Sequence, residues 1–238
     1  MRGKICAFFA KEHRSFWKDS EMKSRRNSIL LASVIITLIM TAGIRANLIS
    51  NGDFESGILD IVTDYTYIIP PNTVHPQQTY TVYTSPRLVH SSWANYGDHT
   101  SGTGNMMIVN AATVADKTVW GQTVTVLPNR DYIFTYWLSS SYSTNPAQLE
   151  CSFNGSTVGT ATAPSTTGVW QEVSYNWNSG VSTSATIRLV DLTLAYSGDD
   201  FAIDDISLVV PEPGTLLLLG LGGLFLRRRS GQVLRKRK

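Results

Sequence analysis

From residue 61 to residue 209 the chain never sustains an apolar repeat of three to four residues, and this restricts it to strands. Short runs rich in Val, Thr, Tyr and Trp are cut instead by Gly, Pro, Asn and Ser. Such runs read as strands bounded by turns. Strands are expected at 61–69, 79–84, 105–110, 117–126, 131–139, 148–153, 156–162, 169–177, 184–191 and 201–209. Within 117–126, Trp120, Val124 and Val126 fall on one face. Pro128-Asn129 supplies a turn into the next strand, and Asn154-Gly155 between two runs calls for the positive φ of a tight hairpin. That pairing explains the triplet Asn154-Gly155-Ser156 better than glycosylation does. Many short strands without helices define a β-sandwich, most simply a jelly roll. The stretch from Ser85 to Asn105 is expected to be loop-rich, and Asn47 to Gly57 to open the body with a short strand.

The two ends of the chain have a different composition. Residues 29–44 are almost wholly apolar and follow Lys23, Arg25 and Arg26, with Ile44-Arg45-Ala46 behind them. This pattern is a secretory signal cut after Ala46, which implies the general secretion machinery as a partner. Counted from Met22 its basic region has ordinary length, so Met22 is a candidate true start. Near the other end, Pro211-Glu212-Pro213 makes a stiff joint, because proline fixes the backbone and breaks helices. The twelve residues Thr215 to Leu226 are apolar, with three glycines among them, and the cluster Arg227-Arg228-Arg229 follows. As a helix this span would cover roughly 18 Å, short of a ~30 Å hydrocarbon core, with the arginines held on the cytoplasmic side. The order of Pro-Glu-Pro joint, short apolar span and basic stop closely resembles the PEP-CTERM sorting tail of exported bacterial proteins. The resemblance implies an exosortase that cuts near the motif, after a transient stay in the inner membrane. It divides the chain into a signal at 1–46, a β-sandwich at 47–209 and a sorting tail at 210–238.

The charge lies mostly in the signals. Residues 47–210 hold four basic residues (Arg87, Lys117, Arg130 and Arg188) and fourteen acids, a net charge of −10. An acidic body excludes nucleic acid as a partner, which needs a basic surface. Cys151 is the one cysteine of the body, so no internal disulfide can form. It alternates with Leu149 and Phe153, as a buried thiol does. No G-x-S-x-G, H-E-x-x-H or C-x-x-C is present.

The opening Asn51-Gly52-Asp53-Phe54-Glu55-Ser56-Gly57 and the closing Asp200-Phe201-Ala202-Ile203-Asp204-Asp205-Ile206-Ser207-Leu208 resemble the first and last strands of galactose-binding-like jelly rolls, a group that includes many carbohydrate-binding modules. The runs from Trp120 to Val126, Tyr132 to Leu138 and Gly168 to Val173 are similar to that group as well. The resemblance implies that the end strands pair and that a structural calcium sits between them, with Glu55, Asp204 and Asp205 as ligands. The pattern of Ile203 and Ile206 adds to this. Both are apolar, yet two residues separate them, so a bulge at the aspartate pair is expected to turn one carboxylate inward. The competing reading is a solvated strand end.

Three rings are candidates for stacking on sugar: Trp93 and Tyr96 in the loop-rich stretch, and Trp137. Trp137 shares a face with Ile133, while Tyr132, Phe134, Tyr136 and Leu138 take the other. The competing reading places these rings in the core. Asp98-His99 precedes the apolar run Met106 to Val109 and is expected to nucleate a loop through Asp and Thr hydrogen bonds, with metal binding or catalysis as the other possibility. The function expected is a non-enzymatic exported surface or matrix protein that binds glycan or adheres through one jelly roll. The alternatives are a secreted carbohydrate-active enzyme and a purely structural matrix component.

Overall fold

Strands form in the chain wherever β-branched and aromatic residues run together, and they stop at residues that tolerate positive φ. The fold comes from a computed structural model that describes residues 46–71 and 73–211. The signal segment, the residues Glu212, Pro213, Arg227, Arg228 and Arg229, and the terminal helices expected around them lie outside the described residues.

The elements are β1 (Thr66–Tyr67), β2 (Thr79–Tyr83), α1 (Pro86–Val89), β3 (Met106–Asn110), β4 (Thr118–Thr125), β5 (Asp131–Ser140), β6 (Gln148–Phe153), β7 (Ser156–Thr162), β8 (Gln171–Asn178), β9 (Ser184–Asp191) and β10 (Phe201–Val209). They make two sheets, one ordered β1-β2-β3-β10-β5-β8 and the other β4-β9-β6-β7. This is the jelly-roll sandwich. The β6–β7 hairpin turns on Asn154 at φ 50° and Gly155 at φ 80°, the two positive angles that Asn-Gly supplies at little steric cost.

The main core lies between the sheets. Phe134, Tyr136 and Leu138 of β5 and Ile203, Ile206 and Leu208 of β10 meet Trp120, Leu149, Cys151, Phe153 and Leu189 from the smaller sheet. Each fully buried apolar side chain of this size stabilises the fold by about 1.5–3 kcal/mol. Burial raises the Cys151 thiol far above its ordinary pKa, so it is a packing residue.

A second, smaller core covers part of the outer face of the larger sheet. Val74, Val89 and Trp93 pack there on Met106, Ile108 and Ala202. All five residues of β3 are therefore buried: Met107 and Val109 face the sandwich, and Met106 and Ile108 face this outer cluster. Trp93 is 1% exposed, which corrects its reading as a loop ring open to ligand. Its indole Nε1 donates to Asp200 Oδ2 at 3.0 Å, as a buried indole requires a partner.

Two element expectations change. The segment from Asn47 to Gly57 is a strap of turns, with Asn51 at φ 52° and Phe54 at φ 55°. It still joins β10: Leu48 N–H donates to the Leu208 carbonyl at 3.0 Å, and Ile206 N–H donates to the Gly52 carbonyl at 2.9 Å. Any Cβ at position 52 would run into the Ile206 carbonyl, so the strap needs glycine there. The long strand expected at 61–69 contracts to Thr66–Tyr67 and one bridge from Val62 to Gly121.

Candidate functional site

The open part of the larger sheet's outer face is organised by a break in β10. In the ladder with β5, Asp204 stands opposite Trp137 and Ser207 opposite Thr135. Two residues of β10, Asp205 and Ile206, therefore face Tyr136 alone, and Asp205 takes φ 48°. This is the expected bulge. It lets Ile203 and Ile206 both reach the core and leaves Asp204 and Asp205 side by side. Asp204 is fully buried, but on the outer face that it shares with Trp137, beneath residues 98–105.

That loop is built from its own polar groups. Asp98 accepts from Ser101 N–H and Gly104 N–H, both at 2.7 Å. The fold places the loop on the aspartate pair: His99 N–H donates to Asp204 Oδ2 at 2.8 Å, and the Thr100 hydroxyl donates to Asp205 Oδ1 at 2.7 Å. His99 Nδ1 meets Asp205 Oδ2 at 2.6 Å. Burial pushes the Asp204 carboxyl up to about 7, the nearby Asp205 charge adds to this, and the N–H donors of Asp205, His99 and Thr100 pull it back.

Glu55, Asp204 and Asp205 do approach one loop, but their oxygens face hydrogen-bond donors. Glu55 Oε1 accepts from Asn105 N–H at 2.7 Å, and the two aspartates are held as described above. A calcium shell needs six to eight oxygen ligands around one point. Among the described residues no group of three or more His, Cys, Asp or Glu is arranged to hold a metal ion. The three acids as placed do not fit calcium.

Trp137 is the one candidate ring that remains on the open face. It is half-buried, with the His99 imidazole stacked on it at 3.6 Å between centroids and 13° between planes. It lines a cleft of about 460 Å³ together with Asn47, Asn51, Asp53, Thr135 and Asp205. The amides of Asn47 and Asn51 are spent on backbone groups of the strap and of β10. The Thr135 and Ser207 hydroxyls share one hydrogen bond at 2.7 Å, and the Asp53 carboxylate is exposed. Tyr96 is placed otherwise than expected. Its hydroxyl meets Ser141 Oγ at 2.9 Å, its ring sits edge-on to Trp170, and burial pushes its pKa up to about 12. It packs against the second core and does not line the cleft. His99 is the residue that sequence reasoning undervalued, since nothing in the order Asp98-His99-Thr100 shows that β10 brings a carboxylate to the ring.

Residues 209–230 match the PEP-CTERM protein-sorting motif. The chain is thus an exported protein addressed to exosortase processing. No curated protein is similar to it. Among solved structures it is similar to Fisc, a Stig cyclase from Fischerella sp. TAU, with 13% identity, a TM-score of 0.50, and coverage of 69% of this chain and 96% of that one. At that identity the likeness is one of fold. Two carbohydrate-binding structures are also similar. One is a family 16 carbohydrate binding module, at 18% identity, TM-score 0.42, and 68% and 99% coverage. The other is TmCBM61 in complex with β-1,4-galactotriose, at 17% identity, TM-score 0.43, and 69% and 99% coverage.

Proposed function

We propose that this exported protein is a non-enzymatic glycan-binding module of the cell surface, which holds polysaccharide on the open half of its larger sheet. One observation carries the reading: Trp137 lines an open cleft among hydroxyl and carboxylate groups, with the His99 imidazole stacked on one side of its ring. A ring face matches the apolar face of a sugar and loses little side-chain entropy on binding. The Thr135 and Ser207 hydroxyls and the Asp53 carboxylate supply partners for sugar hydroxyls beside it. The sorting motif supports a site of action in the envelope or its exopolysaccharide, where an adhesive or matrix role follows from holding glycan.

The test is retention of the body on immobilised polysaccharides, read beside its melting temperature. Trp137→Ala should abolish retention while the Tm stays within a degree or two. A body that retains no polysaccharide at all sinks the reading in favour of a purely structural matrix component.

A second reading, a carbohydrate-active enzyme, is favoured by the His99–Asp205 contact at 2.6 Å, which is the geometry of an acid–base pair. Release of reducing ends from a retained polysaccharide, lost in His99→Gln, would select it.

A further inference from the structure

The cleft beside Trp137 has a charge as well as a shape, and the ladders on either side of β5 place that charge. On the β8 side, Glu172 stands opposite Trp137 and Ser174 opposite Thr135. Directly opposed residues of an antiparallel pair share a face, with about 4.5–5.5 Å between their Cβ atoms. Glu172 and Ser174 are both exposed, so the open face continues past Trp137 onto β8. On the β10 side, Asp53 and Asp205 line the cleft itself. Asp53 is exposed, and its carboxylate accepts from Glu55 N–H at 3.3 Å, a long bond that leaves it open to a stronger donor. Asp205 is more engaged, by His99 Nδ1 and the Thr100 hydroxyl.

Among the described residues no Lys or Arg balances these acids. Arg87 is on α1, where its guanidinium donates to the Trp93 carbonyl at 3.2 Å. Arg188 is on β9 of the smaller sheet, paired with Asp116 at 3.1 Å, and Lys117 precedes β4 of the same sheet. Arg130 precedes β5, and the strand from there to Trp137 covers roughly 23 Å at ~3.3 Å per residue. His99, the base that does lie at the site, has its Nδ1 closed off by Asp205.

A cleft with an aromatic ring, exposed carboxylates and no free cation sorts glycans by charge. A polyuronate brings its own carboxylates against Asp53 and Glu172 and is repelled, and a neutral polymer gains only ordinary hydrogen bonds from them. A sugar ring with a free amine gains twice. Its ammonium makes charge-assisted hydrogen bonds to a carboxylate, and its ring face stacks on an indole that also attracts a cation. We propose that the glycan held here is an amino-sugar polymer with free, protonated amines, whose ammonium groups meet Asp53 on the β10 side of Trp137 and Glu172 on the β8 side. This rests on the glycan-binding reading above and narrows its ligand. The net charge of −10 on the body serves the same end, because its field draws a polycation in and the cleft fixes where it docks.

The experiment titrates the full chain in detergent with soluble oligosaccharides of matched length: β-1,4-linked glucosamine, the same oligomer N-acetylated, and an oligogalacturonate, at low salt and at a pH where the amines are protonated. The glucosamine oligomer should bind about tenfold tighter than its acetylated form, the gain expected of a hydrogen bond to a charged group, and the uronate should bind weakest. The gain should shrink as salt is added, because the acids are exposed. Asp53→Asn and Glu172→Gln should each narrow the gap between the amine and acetylated oligomers, and Trp137→Ala should abolish binding of both. Glu150→Gln, a charge change of the same size on β6 of the other sheet, should leave the gap as it is. Equal binding of the amine and acetylated oligomers, or tighter binding of the uronate, overturns this inference and leaves the glycan-binding reading standing. Binding of the amine that survives Trp137→Ala, or that falls as much with Glu150→Gln as with Glu172→Gln, assigns the preference to the charge of the whole body and overturns it too. Failure of all these oligomers to bind overturns it as well, and the retention test above then decides the glycan-binding reading.

Discussion

Trp93 and Trp137 show what a single side chain can and cannot reveal. Trp93→Ala empties part of the outer core and leaves Asp200 without its indole donor. It should destabilise the body by about 3–5 kcal/mol, measured by urea denaturation. Trp137→Ala removes a half-buried ring from the sheet surface, and its loss of stability should stay near about 0.5 kcal/mol. Equal losses for the two would contradict these placements. The strand pattern around Trp137 already separated it from Tyr136 and Leu138, because alternation is a local property. Trp93 sits where no period exists, and only the return of β10 beneath it makes it a core residue. Tyr96 was hidden for the same reason: Ser141, the partner of its hydroxyl, lies 45 positions away.

The elements were legible almost to their ends, since each strand boundary is marked by residues that tolerate turns. The exceptions are instructive. The opening strap looks like a strand from its apolar residues, but Asn51 and Phe54 at positive φ break it. The four-residue helix α1 begins at a proline and offers no apolar period long enough to read. The bulge in β10 was readable from the spacing of Ile203 and Ile206, whereas the loop that it secures was not. That latch makes a prediction at this scale. Asp204→Ala strips an acceptor from the N–H groups of half-buried His99 and exposed Thr100, and should cost about 1 kcal/mol in all, since water can reach the freed donors. Hydrogen exchange should then accelerate across 98–105 before it does in β5. Uniform protection in both segments would show that the loop does not depend on Asp204.

The molecule as a whole carries its acids in an unusual way. Asp191, Asp200 and Asp204 are each pushed to about 7 and Asp199 to about 8, first of all by burial. Aspartate in an unfolded chain titrates near about 3.9. Between those values the folded body holds protons that the unfolded chain has released, so stability falls as pH rises through the window. The urea midpoint should be higher near about pH 5.5 than near about pH 8.5. A midpoint that climbs steadily from the acid to the alkaline condition would contradict the burial of these carboxylates. The sorting motif gives a prediction of its own. Intact mass analysis of protein from the native envelope should show loss of residues 1–46 and of everything after Pro211-Glu212-Pro213. Recovery of chain still carrying Leu216 to Lys238 would refute processing.

The matched sorting motif begins at residue 209, which is also the last residue of β10. β10 is bonded to β3 on one side and to β5 on the other, and the opening strap is bonded to it as well. A load applied at residue 209 enters the body through β10. The ladder bonds on both sides then carry the load together in shear, rather than opening one after another like a zip. Under the proposed glycan-binding role, a body loaded at this strand would resist dragging at the point where it is fastened.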